Sequence, residues 1–157
     1  MTLHEVLTSN GYAVEDLQLG GGPAVVGRRK IFRVRWMLTQ LKVTVVVART
    51  EHLTPETWQA FMKESFALAS AFKGGLPNGL QSGIGMVAVL DCGTVDPAAA
   101  ALASQQAPRE WFTGIGVAAA YDRSTGQVLT HNERQVVGGI YVPFLRSQRD
   151  LVTAALT

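Results

Sequence analysis

The clearest pattern of hydrophobic positions lies between Thr54 and Phe72, where apolar side chains recur every three or four residues. This spacing places them on one face of a helix. Thr54 can cap the free N–H groups of the first turn, and Pro55 suits the first helical position because it has no N–H to leave unpaired. Gly74 and Gly75 are expected to end the helix. The pattern predicts a long amphipathic helix whose apolar face must be covered by other parts of the protein. This face is formed by Trp58, Phe61, Met62, Phe66, Ala69 and Phe72.

Patterns with a period of two predict strands on both sides of this helix. Ile84–Leu90 has no polar side chain, which is typical of a strand that is buried on both faces. Before the helix, Phe32–Leu38 and Leu41–Val47 alternate and are rich in β-branched residues. We expect these two strands to be joined by a two-residue turn at Thr39-Gln40, and Ala24–Arg28 to form a shorter third strand.

Shorter signals predict the remaining elements. Thr2 and Glu5 have the spacing of a capping box, and the helix that they begin should end at Gly11. Asp96-Pro97 should begin another helix, and Pro143 the last one. Two further strands should flank the turn at Asp122–Gly126, which offers a glycine for a left-handed position. These strands are Ile115–Tyr121 and Gln127–His131.

The order of these elements, α-β-β-α-β-α-β-β-α, predicts an α+β or mixed α/β fold. We expect a single mixed sheet of about five to six strands with helices packed on it. At 157 residues the chain is interpreted as a single domain, 1–157, which is long enough to bury a core without metal or disulfides.

Composition adds an expectation about partners and location. Hydrophobic residues make up 47% of the chain, and charged residues only 17%, below the roughly 25% that is usual for soluble domains. Apolar surface covered by another subunit would account for this, so a homo-oligomer or a protein partner is expected. The single cysteine, the lack of a signal peptide and the lack of a long apolar run predict a soluble, cytoplasmic protein that does not enter a membrane.

Charge is distributed unevenly. Seven cations and no acid lie between Ala24 and Thr50, although the net charge of the whole chain is only +2. A cationic strand could follow a phosphate backbone, or it could be a solvated face that discourages edge pairing. Phe32 and Trp36 are expected to face the core, away from Arg33 and Arg35. The candidate nucleic-acid-binding residues are Arg28, Arg29, Lys30, Arg33, Arg35 and Lys42.

A second set of candidates lies around the apolar strand that follows the central helix. Asp91 and Cys92 end this strand just before a helix, a position that ligands favour in open α/β sheets. The glycine-rich loop before the strand could approach a ligand closely. The alternative interpretation is a buried, inert cysteine and an ordinary turn. The candidate ligand residues are Gly74, Gly75, Asn78, Gly79, Asp91 and Cys92.

Metal and cofactor chemistry is not predicted. The three histidines have no spacing that is typical of a zinc site. Gln40 and Lys42 occupy positions where some nucleases carry an acid-x-lysine pair, but Gln40 is not a carboxylate and Asp16 is the only acid nearby upstream. A hard divalent ion therefore lacks its ligands.

The sequence thus favours a non-catalytic intracellular domain that acts through self-association or a protein partner. A nucleic-acid-associated protein that uses Arg28–Arg35 is the first alternative. A small enzyme with a site near Asp91, Cys92 and the Gly74–Gly83 loop is the second.

Overall fold

The computed structural model describes residues 1–32, 40–72, 82–105, 115–131 and 141–157. Within these ranges the chain forms four helices and six strands, in the order α-β-β-β-α-β-α-β-β-α. The helices are α1 (Leu3–Ser9), α2 (Pro55–Phe72), α3 (Pro97–Gln105) and α4 (Val142–Leu156). The strands are β1 (Ala13–Leu19), β2 (Gly22–Phe32), β3 (Gln40–Leu53), β4 (Ser82–Val95), β5 (Ile115–Asp122) and β6 (Gln127–Thr130).

All six strands form one mixed sheet whose spatial order is the order of the sequence. The strands β1, β2 and β3 pair antiparallel, β3, β4 and β5 pair parallel, and β6 returns antiparallel to β5. This confirms the predicted single mixed sheet of five to six strands with helices packed on it. The helices α2 and α3 make the two crossover connections that parallel pairing requires.

Helices cover the sheet on both faces, so the described core has two parts. Alternate residues of a strand point to opposite faces. Even-numbered residues of β3, such as Val46, pack with α2 and α3, whereas odd-numbered residues, such as Val43 and Val45, pack with α1 and α4. We call these the α2/α3 face and the α1/α4 face. The face on which a side chain lies determines which other functional side chains it can contact.

The predicted central helix is confirmed, and its start follows from two residues. The Thr54 side-chain oxygen accepts a hydrogen bond from the N–H of Thr57 at 3.2 Å, and Pro55 is the first helical residue. The apolar face is buried against the sheet, and Phe72, the last residue of the helix, is half-buried. The buried residues of α2 are Trp58, Phe61, Met62, Ser65, Phe66 and Ala69.

The N-terminal elements also follow from local chemistry. Thr2 and Glu5 form the predicted capping box at the start of α1, and Gly11 has a φ of 83° just after the helix. The segment after Gly11, for which the sequence pattern is ambiguous, forms β1. It joins β2 through a two-residue turn, because Leu19 pairs with Gly22. β1 is hard to predict because it is an edge strand and none of its seven residues is fully buried.

The prediction of a two-residue turn at Thr39-Gln40 is wrong. Gln40 belongs to β3 and pairs with Phe32, so the connection between the two strands falls within residues 33–39, which lie outside the described residues. The predicted third strand, Ala24–Arg28, is part of β2. The alternating pattern of apolar and polar residues cannot by itself show where the chain reverses direction between β2 and β3. The register of these two strands is fixed by continuous pairing that starts at Ala24 and Ala48.

None of the helices in the described ranges has the length and apolar character needed to cross a membrane.

Gly93 of β4 provides a test of how closely the parallel strands approach each other. A Cβ at this position would lie 2.5 Å from the backbone oxygen of Glu51, so a side chain must push β3 and β4 apart. We expect Gly93→Ala to lower the free energy of unfolding by about 1–3 kcal/mol, measured by urea denaturation. Gly21→Ala is the control, since nothing lies within 4 Å of its Cβ, and it should stay within about 0.5 kcal/mol of the parent chain. Equal stabilities of the two variants would contradict the close approach.

Candidate functional site

The structure brings together three of the six predicted nucleic-acid-binding cations. Arg28 and Lys30 of β2 and Lys42 of β3 lie on the α2/α3 face, because they are in step with the strand residues that are buried there. Arg29 points to the α1/α4 face. The remaining two candidates, Arg33 and Arg35, lie outside the described residues.

Lys30 and Lys42 are direct cross-strand partners. Side chains in such a pair have Cβ atoms about 4.5–5.5 Å apart, and like charges directly opposite each other are destabilising. Lys30 is exposed and Lys42 is half-buried. Two lysines on adjacent strands make this part of the sheet a candidate for contact with negatively charged ligands.

Phe32 lies beside this lysine pair, and its expected burial in the core is wrong. Its ring is on the α2/α3 face, two residues beyond Lys30 and opposite Gln40, and the residue is 55% exposed. The alternation rule assigns Phe32 to the core because it assumes that one face of the strand is covered along its whole length. We call Arg28, Lys30, Phe32 and Lys42 the basic patch.

The two arginines of this region are already engaged with neighbours. Arg28 forms an ion pair with Glu15 of β1, which offsets part of the positive charge of the basic patch. The Arg29 guanidinium lies 5.9 Å from the centre of the Tyr12 ring, a cation–π distance. Tyr12 also donates a buried hydrogen bond to Gln148 at 2.9 Å, and burial raises the pKa of its hydroxyl. Arg29 therefore supports the packing of α4.

A second group of charged side chains lies on the α1/α4 face, at the carboxyl ends of the parallel strands. Arg49 of β3 is the direct strand partner of Asp91 of β4. Arg123, which follows β5, reaches Asp91 with its Nε 3.1 Å from Oδ1. Its Nη2 lies 3.2 Å from Oε1 of Glu51. The Nε of Arg49 is 3.6 Å from Oδ2 of Asp91. We call Arg49, Glu51, Asp91 and Arg123 the Arg–Asp cluster.

Asp91 is the buried centre of the Arg–Asp cluster. Burial raises the pKa of its carboxyl above the ordinary value, although the guanidiniums of Arg123 and Arg49 act in the opposite direction. Oδ1 of Asp91 and Nε of Arg123 are both buried, and neither makes a hydrogen bond within the described part of the chain, despite being 3.1 Å apart. The pair is held by charge rather than by a well-directed hydrogen bond.

The sequence pattern singles out Asp91 but not its partners. Arg49 falls in the cation-rich segment between Ala24 and Thr50, Glu51 falls outside every predicted element, and Arg123 falls in the turn predicted at Asp122–Gly126. A signal is present, since all three residues stand at the carboxyl ends of the two apolar strands that flank β4. Recognising it requires the strand order, which the sequence does not supply.

Asp91 and Cys92 are adjacent in sequence but lie on opposite faces of the sheet. Cys92 is fully buried on the α2/α3 face, and its Sγ donates to the backbone oxygen of Leu90 at 3.3 Å. Burial, with the nearby carboxylates of Asp91 and Asp122, raises the pKa of the thiol to about 12. These surroundings favour a small apolar side chain rather than a nucleophile. Gly74, Gly75, Asn78 and Gly79 lie outside the described residues.

Within the described ranges, no group of three or more His, Cys, Asp or Glu residues could hold a metal ion. Two of the clefts that are lined by described residues lie near the carboxyl end of β3. A cleft of about 400 Å³ lies between the Gly20–Gly22 turn and α2, where Glu56 and Glu64 line it. A cleft of about 270 Å³ lies on the opposite face and is bordered by Arg49 and Asp91.

Comparison of the chain with protein-family models, with curated proteins and with solved structures gave no match.

Cys92 offers a direct test of its surroundings. With a pKa of about 12, roughly one thiol in ten thousand is ionised at pH 8, and the sulfur is shielded from reagents. We expect alkylation of the folded protein at pH 8 to be negligible over the time in which the urea-unfolded chain is fully labelled. Intact mass measured at intervals gives both rates. Similar rates in the two states would show that the thiol is accessible and reactive.

Proposed function

We propose that this protein binds single-stranded nucleic acid through the basic patch. The observation that carries the proposal is the exposed ring of Phe32, which shares one sheet face with the cross-strand pair of Lys30 and Lys42. Cations next to an exposed aromatic ring are the two parts that non-specific single-strand binding requires.

Each part of the basic patch has a separate role. Lys30 and Lys42 supply positive charge on one face of the sheet and contact phosphate groups. The ring of Phe32 stacks on a base, and the bases of a single strand are available for such contact. Arg28, paired with Glu15, contributes less net charge than an unpaired cation would.

The sequence that joins β2 to β3 fits this role. Residues 33–39 connect Phe32 of the basic patch to its strand partner Gln40, and they contain Arg33, Arg35 and Trp36. That these three residues contribute to binding remains a prediction from the sequence.

Self-association is a second candidate, favoured by the low charge content and by one structural observation. Among the described strands, β1 pairs with β2 alone, so it forms one edge of the six-stranded sheet. An edge strand can pair with a second copy of the same strand. A homo-oligomer, a protein partner and a cytoplasmic location all remain predictions, and light-scattering mass of the purified chain tests the first of them.

Charge reversal and ring removal separate the two roles within the basic patch. We expect Lys30→Glu to weaken binding of a labelled oligothymidine by about tenfold or more at low salt. It should also make the plot of log affinity against log salt less steep, by about 0.7 for each phosphate that the variant no longer neutralises. Phe32→Leu removes the ring but keeps an apolar side chain. It should cost about 1–3 kcal/mol of binding free energy, the usual contribution of one stacked base. Fluorescence anisotropy across a salt titration measures both effects.

The matched control is Lys63→Glu, which makes the same charge change at an exposed position of α2 outside the basic patch. It should stay within about twofold of the parent affinity, because only non-specific long-range attraction changes. Thermal melting should confirm that all three variants are folded. Equal weakening by Lys63→Glu and Lys30→Glu would contradict a specific site. Equal affinity for duplex DNA with no effect of Phe32→Leu would contradict single-strand binding.

A further inference from the structure

Glu15 of β1 is an acid that lies on the same face of the sheet as the basic patch. It pairs with Val26 of β2, which is buried on the α2/α3 face, so the side chain of Glu15 lies on that face as well. Its carboxylate forms an ion pair with Arg28, which pairs with Ala13 of the same edge strand. The register of β1 on β2 therefore holds a negative charge beside the patch in the folded protein.

We propose that Glu15 competes with the phosphate backbone for Arg28 and so limits the affinity of the basic patch. When a single strand binds, the guanidinium of Arg28 exchanges the carboxylate of Glu15 for a phosphate group. This inference rests on the proposed function and names a residue that regulates the same site.

Arg28 can serve either partner. It lies two residues from Lys30 on the same face of β2, which is about 7 Å at the usual rise of a strand. Its Nη1 donates to Oε1 of Glu15, and its remaining N–H groups make no hydrogen bond to the described residues. A guanidinium has five N–H donors in a planar fork, and two of them can bind one phosphate in parallel.

The ion pair is open enough to be exchanged. The side chain of Arg28 is 26% exposed and that of Glu15 is 46% exposed. Ion pairs in contact with solvent are weak and are screened by salt, whereas a guanidinium that binds a phosphate through two hydrogen bonds forms a stronger contact. Glu15 therefore lowers the affinity for a nucleic acid without closing the site.

Asp16 provides a matched comparison within the same strand. It follows Glu15 in the sequence, so its side chain points to the α1/α4 face. Its Oδ1 lies 3.1 Å from Nε2 of His4, away from the basic patch. Removing the charge of Glu15 or of Asp16 changes the net charge of the protein equally, but only Glu15 is a partner of Arg28.

Neutral variants of these two acids test the proposal with the labelled oligothymidine. We expect Glu15→Gln to tighten binding by about fivefold or more at low salt, because Arg28 no longer has an internal partner. The plot of log affinity against log salt should become steeper by about 0.7, the value for one additional phosphate contact on a single strand. Asp16→Asn should stay within about twofold of the parent chain, with an unchanged slope. Fluorescence anisotropy measures both quantities, and thermal melting checks that the variants are folded.

A double-mutant cycle shows whether Glu15 acts through Arg28. In the Arg28→Gln background, Glu15→Gln should change the affinity by about twofold or less and should leave the salt slope unchanged. The same gain in both backgrounds would show that Glu15 repels the nucleic acid without competing for Arg28, and it would overturn the proposal.

The remaining outcomes separate this inference from the proposed function. If the parent chain binds the oligothymidine and Lys30→Glu weakens binding, an unchanged affinity in Glu15→Gln overturns this inference alone. Equal gains in Glu15→Gln and Asp16→Asn would also overturn it, because they would show an effect of net charge. If the parent chain shows no salt-dependent binding, the proposed function fails and this inference fails with it.

Discussion

The structure depends on the burial of the middle of β3, from Val43 to Ala48, between two layers of helices. Val43, Val45 and Val46 have no exposed surface, and between them they point to both faces of the sheet. β3 is also the strand at which antiparallel pairing gives way to parallel pairing. In a strand at this position, the backbone N–H and C=O groups along both edges must form hydrogen bonds, and the side chains on both faces must make apolar contacts. Its two ends are therefore the places where polar residues can be accommodated, and both candidate sites begin there.

Much of the fold could be predicted because its signals are local. The capping residues Thr2 and Thr54, the helical spacing of α2 and the apolar run of β4 each depend on neighbours within a few residues. The turn between β2 and β3 could not be placed in this way. Its position depends on register, which continuous pairing between two long strands decides, and no local residue encodes it.

The candidate sites were predicted less well because they depend on strand order and on which face is covered. Lys30 and Lys42 were both identified as cationic, but eleven residues lie between them in the sequence, and only the register makes them direct partners. Arg49, Asp91 and Arg123 come from three different strands or strand ends. Conversely, Asp91 and Cys92 are neighbours in sequence, and the pleat of β4 separates them.

The sequential strand order has a consequence for how the chain reaches this structure. Each of the six described strands pairs only with strands next to it in the sequence, so the sheet can grow one strand at a time from β1 to β6. Loops that must close are short relative to the chain, which lowers the entropic cost of nucleation and favours rapid folding. The α1/α4 face is the exception, since α1 and α4 meet from opposite ends of the described sequence. During synthesis, the odd-numbered valines of β3 can therefore be covered only in part, by α1, until α4 has left the ribosome. This makes the α1/α4 face the part of the nascent chain most exposed to aggregation.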